Sequence, residues 1–171
     1  MAKLDIVLYP DDPLTRKATP FDRIDSSVAD LGHDMLETML TNDGVGLAGP
    51  QVGVDKRLFV LCEPEREPMI VVNPEVTQLE GRVNGDEGCL SLPEVYATVP
   101  RAGRVRVRGS DEAGRKLDFE AEGFLARIFQ HENDHLDGIV FPDRLDILSR
   151  EDTLAAWYEA RRNLMEAAGL Q

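Results

Sequence analysis

Apolar residues recur at helical spacing in three stretches of this chain and alternate in others. Val28, Leu31, Met35 and Met39 repeat three to four positions apart, which predicts a helix over residues 26–40, capped by Asp25 or Ser26. Asn42-Asp43-Gly44 ends it. His33 falls off that apolar face and reads as a solvated surface residue, whereas the methionines on it read as core. Ile6 to Tyr9 is apolar, and the prolines at 10 and 13 end any strand there. A glycine-rich loop follows over 44–53. The apolar runs 58–62 and 69–72 are strand-sized. Arg-Val-Arg-Val-Arg at 104–108 puts Val105 and Val107 on one face. After the turn Asp111-Glu112-Ala113-Gly114, Leu117, Phe119 and Ala121 alternate, so the two strands predict a hairpin with its arginines on a solvated face. A second helix is predicted over 123–136, ended by Asp137-Gly138. A third covers about 149–168, with Leu154, Trp157, Tyr158, Leu164 and Met165 as its apolar positions. The expected class is α+β: mainly antiparallel sheets packed around the second helix, plus the C-terminal helix.

Composition narrows the function classes. At 171 residues the chain suits a single catalytic domain over 1–171. Its formal net charge of −13 argues against general affinity for nucleic-acid phosphates or anionic membranes. No direct DNA binding and no membrane partner is expected. No apolar run approaches the length of a transmembrane helix. Two cysteines without a secretory signal fit a reducing compartment, the cytoplasm of a bacterium being the simplest setting. That setting disfavours a Cys62–Cys89 disulfide.

The strongest chemical signal is His131-Glu132-Asn133-Asp134-His135. Helix positions i and i+4 share a face, so both imidazoles can reach one ion. Glu132, one position along, points elsewhere and is free to manage the proton of an activated water. This is the H-E-x-x-H arrangement of metal-dependent hydrolases. Phe124 and Ile128 lie on the same face, so the histidines extend an apolar stripe. Two histidines leave a tetrahedral ion short of a third protein ligand. Residues 136–146 offer no histidine, and an acidic ligand stays open by counting. The better candidate is Cys89, in Glu87-Gly88-Cys89-Leu90-Ser91-Leu92-Pro93. A thiolate binds divalent metals strongly, and the adjacent glycine permits close backbone approach.

Three segments together resemble the peptide deformylases, in that family's order. They are Gly44-Val45-Gly46-Leu47-Ala48-Gly49-Pro50-Gln51, Glu87-Gly88-Cys89-Leu90-Ser91, and Gln130-His131-Glu132-Asn133-Asp134-His135-Leu136-Asp137-Gly138. The resemblance covers residues 4–148. It implies removal of the formyl group from the N-terminal formylmethionine of nascent polypeptides. It implies that Cys89, His131 and His135 bind the metal and that Glu132 is the general acid/base. Gln51 and the backbone N–H of Leu90 would stabilise the oxyanion. Val45, Gly46 and Gly88 would flank the peptide as an added strand. Val45, Glu87, Phe124, Arg127 and Ile128 would form the methionine pocket, with Arg127 giving its aliphatic stem and keeping its charge at the rim. Fe(II) is the metal the resemblance favours, with zinc, nickel or cobalt as substitutes.

Asp134 and Arg101 match recurrent family positions and could pair beside the site, or form a surface salt bridge. Gly49 stands where the family usually has alanine, which would loosen the loop by one methyl. Some relatives dock on the ribosome through a basic C-terminal helix. The helix here is not basic, so only a transient ribosome contact is expected.

Overall fold

The computed structural model describes residues 2–170. Seven strands and three α-helices follow in the order α1 (Ser26–Thr41), β1 (Gly46–Ala48), β2 (Leu58–Leu61), β3 (Met69–Glu80), β4 (Val83–Cys89), β5 (Leu92–Arg101), β6 (Arg104–Ser110), β7 (Lys116–Glu122), α2 (Gly123–Leu136) and α3 (Ile147–Ala167). Short 3-10 turns occupy Gly49–Val52 and Phe141–Arg144. Five strands form one antiparallel sheet in the order β1-β2-β3-β6-β7, while β4 and β5 form a separate hairpin. The α+β class, the antiparallel sheets and the C-terminal helix agree with the sequence expectation.

The β1-β2-β3 end of the sheet is buried on both faces. Phe59, Leu61, Val71, Val105, Val107 and Ala121 pack against Leu125, Ala126, Ile128 and Phe129 of α2. On the opposite face Leu58, Val60, Ile70 and Val72 meet Val28, Met35 and Met39 of α1. This explains why β2 reads as an unbroken apolar run: a strand covered on both sides has no polar alternation to show. The β6–β7 hairpin does alternate, and its arginines form exposed cross-strand pairs such as Arg106–Asp118 at 2.7 Å.

A third cluster joins Leu92, Val95 and Val99 of β5 to Val140, Phe141 and Trp157. Trp157 is fully buried and donates its indole N–H to the Tyr9 carbonyl at 3.0 Å. So α3 packs its aromatic anchor on the β4–β5 hairpin.

The structure corrects several boundaries. β3 runs to Glu80, past the expected stop at Val72, because a bulge after Val72 absorbs Asn73-Pro74 and pairing with β6 resumes at Glu75. Asn73 takes the left-handed φ of 49° there, and its amide bonds both backbone groups of Phe21. The β4–β5 hairpin lacks a sequence forecast, since β4 is polar, glycine-containing and largely exposed. Helix α3 begins at Ile147, two residues before the expected start. Asp146 is its cap, accepting from the Ser149 N–H at 3.0 Å. Its first-turn Ile147 and Leu148 are exposed, and Tyr158 is half-exposed, so these apolar residues do not belong to the packed stripe. Both cysteines are free. Among the described residues, no helix is long and apolar enough to cross a membrane.

Candidate metal centre

Helix α2 is the innermost helix: eleven of its fourteen residues are buried. It starts directly from β7, whose last residue Glu122 is extended while Gly123 takes a φ of 61°. That conformation suits glycine and turns the chain abruptly from sheet to helix. One turn apart on it, His131 and His135 stand with ring centroids 5.1 Å apart. Cys89 comes from the end of β4, where the hairpin turns. Its Sγ lies 3.3 Å from His135 Nε2. One ligand atom each from Cys89, His131 and His135 lie within 4.8 Å of one another. Donors bonded to one divalent first-row ion at roughly 2.0–2.3 Å sit about 3.3–3.8 Å apart, so this triangle closes on an ion with little movement. Sulfur and two imidazoles also form a donor set suited to zinc, iron, nickel or cobalt.

The electrostatics suit a cation. His131 Nδ1 contacts Glu87 Oε1 at 2.7 Å, which leaves Nε2 for a ligand. Burial works against a proton on His131, but its contacts with Cys89 and Glu87 outweigh that and hold its pKa well above the usual value. Burial, with the charges of His131 and Arg101, pushes His135 well below its usual value. A divalent ion held by Cys89, His131 and His135 would supply the positive charge that His131 otherwise takes up as a proton.

Glu132 is 3% exposed, and its Oε2 has no hydrogen-bond partner in the structure. Burial raises its carboxyl to about 7. Gly46 makes room for it: a Cβ there would stand 2.7 Å from the Glu132 carboxyl carbon. Gln51 is buried in the 3-10 turn after β1. Its Oε1 accepts from the Ala48 N–H at 2.8 Å, and its Nε2 reaches Ser91 Oγ at 3.2 Å and Cys89 Sγ at 3.4 Å. Leu90 follows Cys89 in the turn, half-buried, with its side chain over Gly44. The N-terminal segment fastens both loops, as Val7 N–H donates to the Gln51 carbonyl and Tyr9 N–H to that of Ser91.

Behind the histidines lies a buried ion-pair chain. Arg101 donates to both Glu87 oxygens at 2.8 and 2.9 Å and to Asp134 at 2.6 Å. Arg144 clamps Asp134 from outside with bonds of 2.6 and 3.0 Å. Burial opposes the charge on Glu87, but Arg101 and His131 outweigh it and hold its carboxyl far below the ordinary range. The Arg101–Asp134 pairing therefore exists, and it is interior, not a surface salt bridge: Arg101 is 4% exposed.

Every predicted site residue except His135 lines one cavity of about 420 Å³. His135 sits behind the cavity wall, 1% exposed. Val45, Gly46, Gly88, Phe124 and Ile128 reach the cavity as expected. Glu87 and Arg127 also border it, but their charged heads turn away. Arg127 corrects the expectation of a charge at the rim. Its guanidinium is buried, bonded to Glu87 at 2.7 Å and to the carbonyls of Val99 and Val83 at 2.8 and 2.7 Å. Nor is the loop loosened at Gly49, where a Cβ would meet the Lys56 carbonyl oxygen at 2.6 Å. Sequence reasoning missed Ser91 and Arg144. Ser91 lay inside a noted segment but reads as an ordinary turn serine. Arg144 lies ten residues past Asp134, beyond the Gly138 reversal, and no spacing rule links them.

Comparison with known proteins bears on this arrangement directly. Residues 3–151 match the family model described as polypeptide deformylase. A peptide deformylase from Alkalilimnicola ehrlichii is 47% identical over 154 residues, covering 88% of this chain and 86% of that protein. The solved peptide deformylase from Legionella pneumophila superposes with a TM-score of 0.89 at 38% identity, over 95% of this chain and 98% of that one. A solved peptide deformylase from Ehrlichia chaffeensis in complex with actinonin gives a TM-score of 0.89 at 36% identity, over 95% of this chain and 99% of its own. The matched span contains all three ligand candidates and reaches into the start of α3, so both the sequence and the fold around the cavity place this chain in the polypeptide deformylase family.

Proposed function

We propose that Cys89, His131 and His135 hold one divalent metal ion, and that Glu132 is the proton carrier of the hydrolysis. The enzyme removes the N-formyl group from the N-terminal formylmethionine of newly made polypeptides and releases formate. A single observation carries the assignment of roles: three ligand atoms lie within 4.8 Å of one another, and two of their residues, Cys89 and His131, border the same cavity as Glu132, whose Oε2 is unpartnered. A bound ion acts as a Lewis acid and lowers the pKa of water toward neutrality. Glu132 takes a proton from the attacking water as the new carbon–oxygen bond forms at the formyl carbon. It then delivers a proton to the leaving amine as the carbon–nitrogen bond breaks. With its carboxyl raised to about 7, Glu132 can exchange that proton near neutral pH. The side-chain N–H of Gln51 and the backbone N–H of Leu90 stabilise the negative oxygen of the tetrahedral intermediate, a role worth about 3 kcal/mol per donor.

The peptide lies along Val45, Gly46 and Gly88, and Val45, Phe124 and Ile128 with the stem of Arg127 take the methionine side chain. Glu87 orients His131 from behind. Fe(II) is the native ion in this reading, with zinc, nickel or cobalt as substitutes. Residues 1–171 act as one catalytic domain on nascent formylmethionyl chains in the bacterial cytoplasm. Any ribosome contact is transient, because α3 carries Glu151, Asp152, Glu159 and Glu166 against Arg150, Arg161 and Arg162.

The test is formate release from a formyl-Met-Ala peptide by wild type and Glu132→Gln, prepared with and without oxygen. Turnover by wild type alone is expected, with losses in air. Internal peptide cleavage without formate would overturn the reading in favour of an endopeptidase. Equal aerobic and anaerobic activity would count against iron.

A further inference from the structure

Ser91 does not line the cavity, yet it touches a residue that does. It is fully buried, and its Oγ accepts from Gln51 Nε2 at 3.2 Å. Among the described residues this is the one hydrogen bond its hydroxyl makes. Alanine would fill nearly the same volume without a hydroxyl to satisfy. The orientation of the Gln51 amide follows from its other contact. The Ala48 main chain presents an N–H at 2.8 Å, so Oε1 must face it and the NH2 group must face the opposite way. One proton of that group goes to Ser91 Oγ. The other side of the group meets Cys89 Sγ at 3.4 Å, toward the ligand atoms. The backbone fixes the spacing of the pair. Val7 and Tyr9, on one N-terminal segment, donate to the carbonyls of Gln51 and Ser91 at 2.8 and 3.0 Å. Ser91 also follows Leu90 directly in the chain, so it adjoins both donors assigned to the oxyanion.

We propose that Ser91 is a positioning residue for the oxyanion site: its hydroxyl holds the Gln51 amide in the orientation that aims an N–H at the developing negative charge. The inference rests on the role given to Gln51 above and adds the group that aims it. The bond to Ala48 alone leaves the amide free to swing about one point. The bond to Ser91 supplies a second point and fixes the plane of the group. A donor held in place beforehand needs no reorganisation when charge develops, which is the source of its effect. Ser91 itself touches neither the cavity nor the reacting atoms. Because Gln51 is used once the negative oxygen forms, loss of the Ser91 hydroxyl acts on kcat more than on KM.

The experiment measures kcat and KM for a formyl-Met-Ala peptide with wild type, Ser91→Ala, Ser91→Thr, Gln51→Ala and the double variant Ser91→Ala/Gln51→Ala. Rates are taken per bound metal, so that a poorly folded variant does not pass as a slow one. Ser91→Ala should lose about tenfold in kcat, the equivalent of one hydrogen bond, with KM little changed. Ser91→Thr keeps the hydroxyl and should recover most of that loss. Gln51→Ala should lose roughly 10²–10³-fold, and adding Ser91→Ala to it should cost nothing further. A second readout needs no turnover. In zinc-loaded, ¹⁵N-labelled enzyme, the Gln51 side-chain amide protons, assigned by their absence in Gln51→Ala, should exchange with water faster in Ser91→Ala. Wild-type kcat in Ser91→Ala would overturn the proposal while leaving the deformylase reading intact. So would an unchanged amide exchange rate, a Ser91→Thr enzyme as slow as Ser91→Ala, or a tenfold loss that persists in the Gln51→Ala background. Wild-type kcat in Gln51→Ala would bring down the role of Gln51 and the proposal with it.

Discussion

Helices α2 and α3 show how differently one chain uses the same secondary structure. The shorter, α2, has eleven of fourteen residues buried and carries charged and polar groups into the interior. The longer, α3, buries only Trp157 among its 21 residues. In α2 the polar side chains are nearly all spoken for: Gln130 bridges both backbone groups of Ala102, His131 meets Glu87, and Asp134 joins two arginines. Glu132, Asn133 and His135 keep buried atoms without partners. Burying an unpaired polar group costs free energy, and α2 bears that cost at three positions where α3 bears it only at Arg161 Nε. The comparison separates a helix that holds chemistry from one that closes the molecule.

The largest effect that tests this contrast is Glu132→Gln. Losing a proton carrier should lower kcat/KM by roughly 10²–10⁴-fold while metal content and Tm hold, since the removed charge had no partner to lose. A collapse of Tm would make Glu132 structural and erase the contrast.

Next in size is Arg101→Met, which leaves Glu87 and Asp134 facing each other without their shared cation. Breaking a buried pair from one side costs about 3–5 kcal/mol. Because Glu87 also holds His131, metal affinity should fall roughly 10–100-fold. Denaturant melting and metal titration read the two effects separately; unchanged affinity would detach the ion-pair chain from the metal centre.

Trp157→Ala should cost about 3–4 kcal/mol by emptying the contact between α3 and the hairpin. In the folded fraction, metal content should remain stoichiometric, because no ligand lies on α3. Loss of metal in step with loss of Trp157 would show that α3 supports the site after all.

The smallest effect concerns the cap of α3. Hydrogen bonds from the backbone and side chain of Ser149 lower the pKa of Asp146. A carboxyl with a lowered folded pKa adds stability above its unfolded pKa and loses it as pH falls through the folded value. Asp146→Asn should therefore lower Tm slightly at neutral pH, with the difference vanishing in acid. A difference that grew in acid would reverse the assigned sign.

Much of this was legible in the chain. Helix α1 shows its apolar repeat and its cap, and α2 shows both histidines and the apolar stripe below them, because each signal is local. The β4–β5 hairpin was not legible: it buries little of β4, so the pattern that announces a strand is missing. Arg127 misled for a related reason. A long cation beside a pocket ordinarily keeps its charge in water, and only the fold brings Glu87 and two free carbonyls within its reach. Arg144 and Asp134 meet through a chain reversal, which spacing along a helix does not describe.

Gly46 carries a consequence for inhibition. The site's proton carrier occupies the volume where any other residue at position 46 would place its first side-chain carbon. A compound that gripped the backbone of Gly46 would touch a position unable to mutate away from it without evicting Glu132. Resistance arising there would abolish the enzyme along with the drug's foothold.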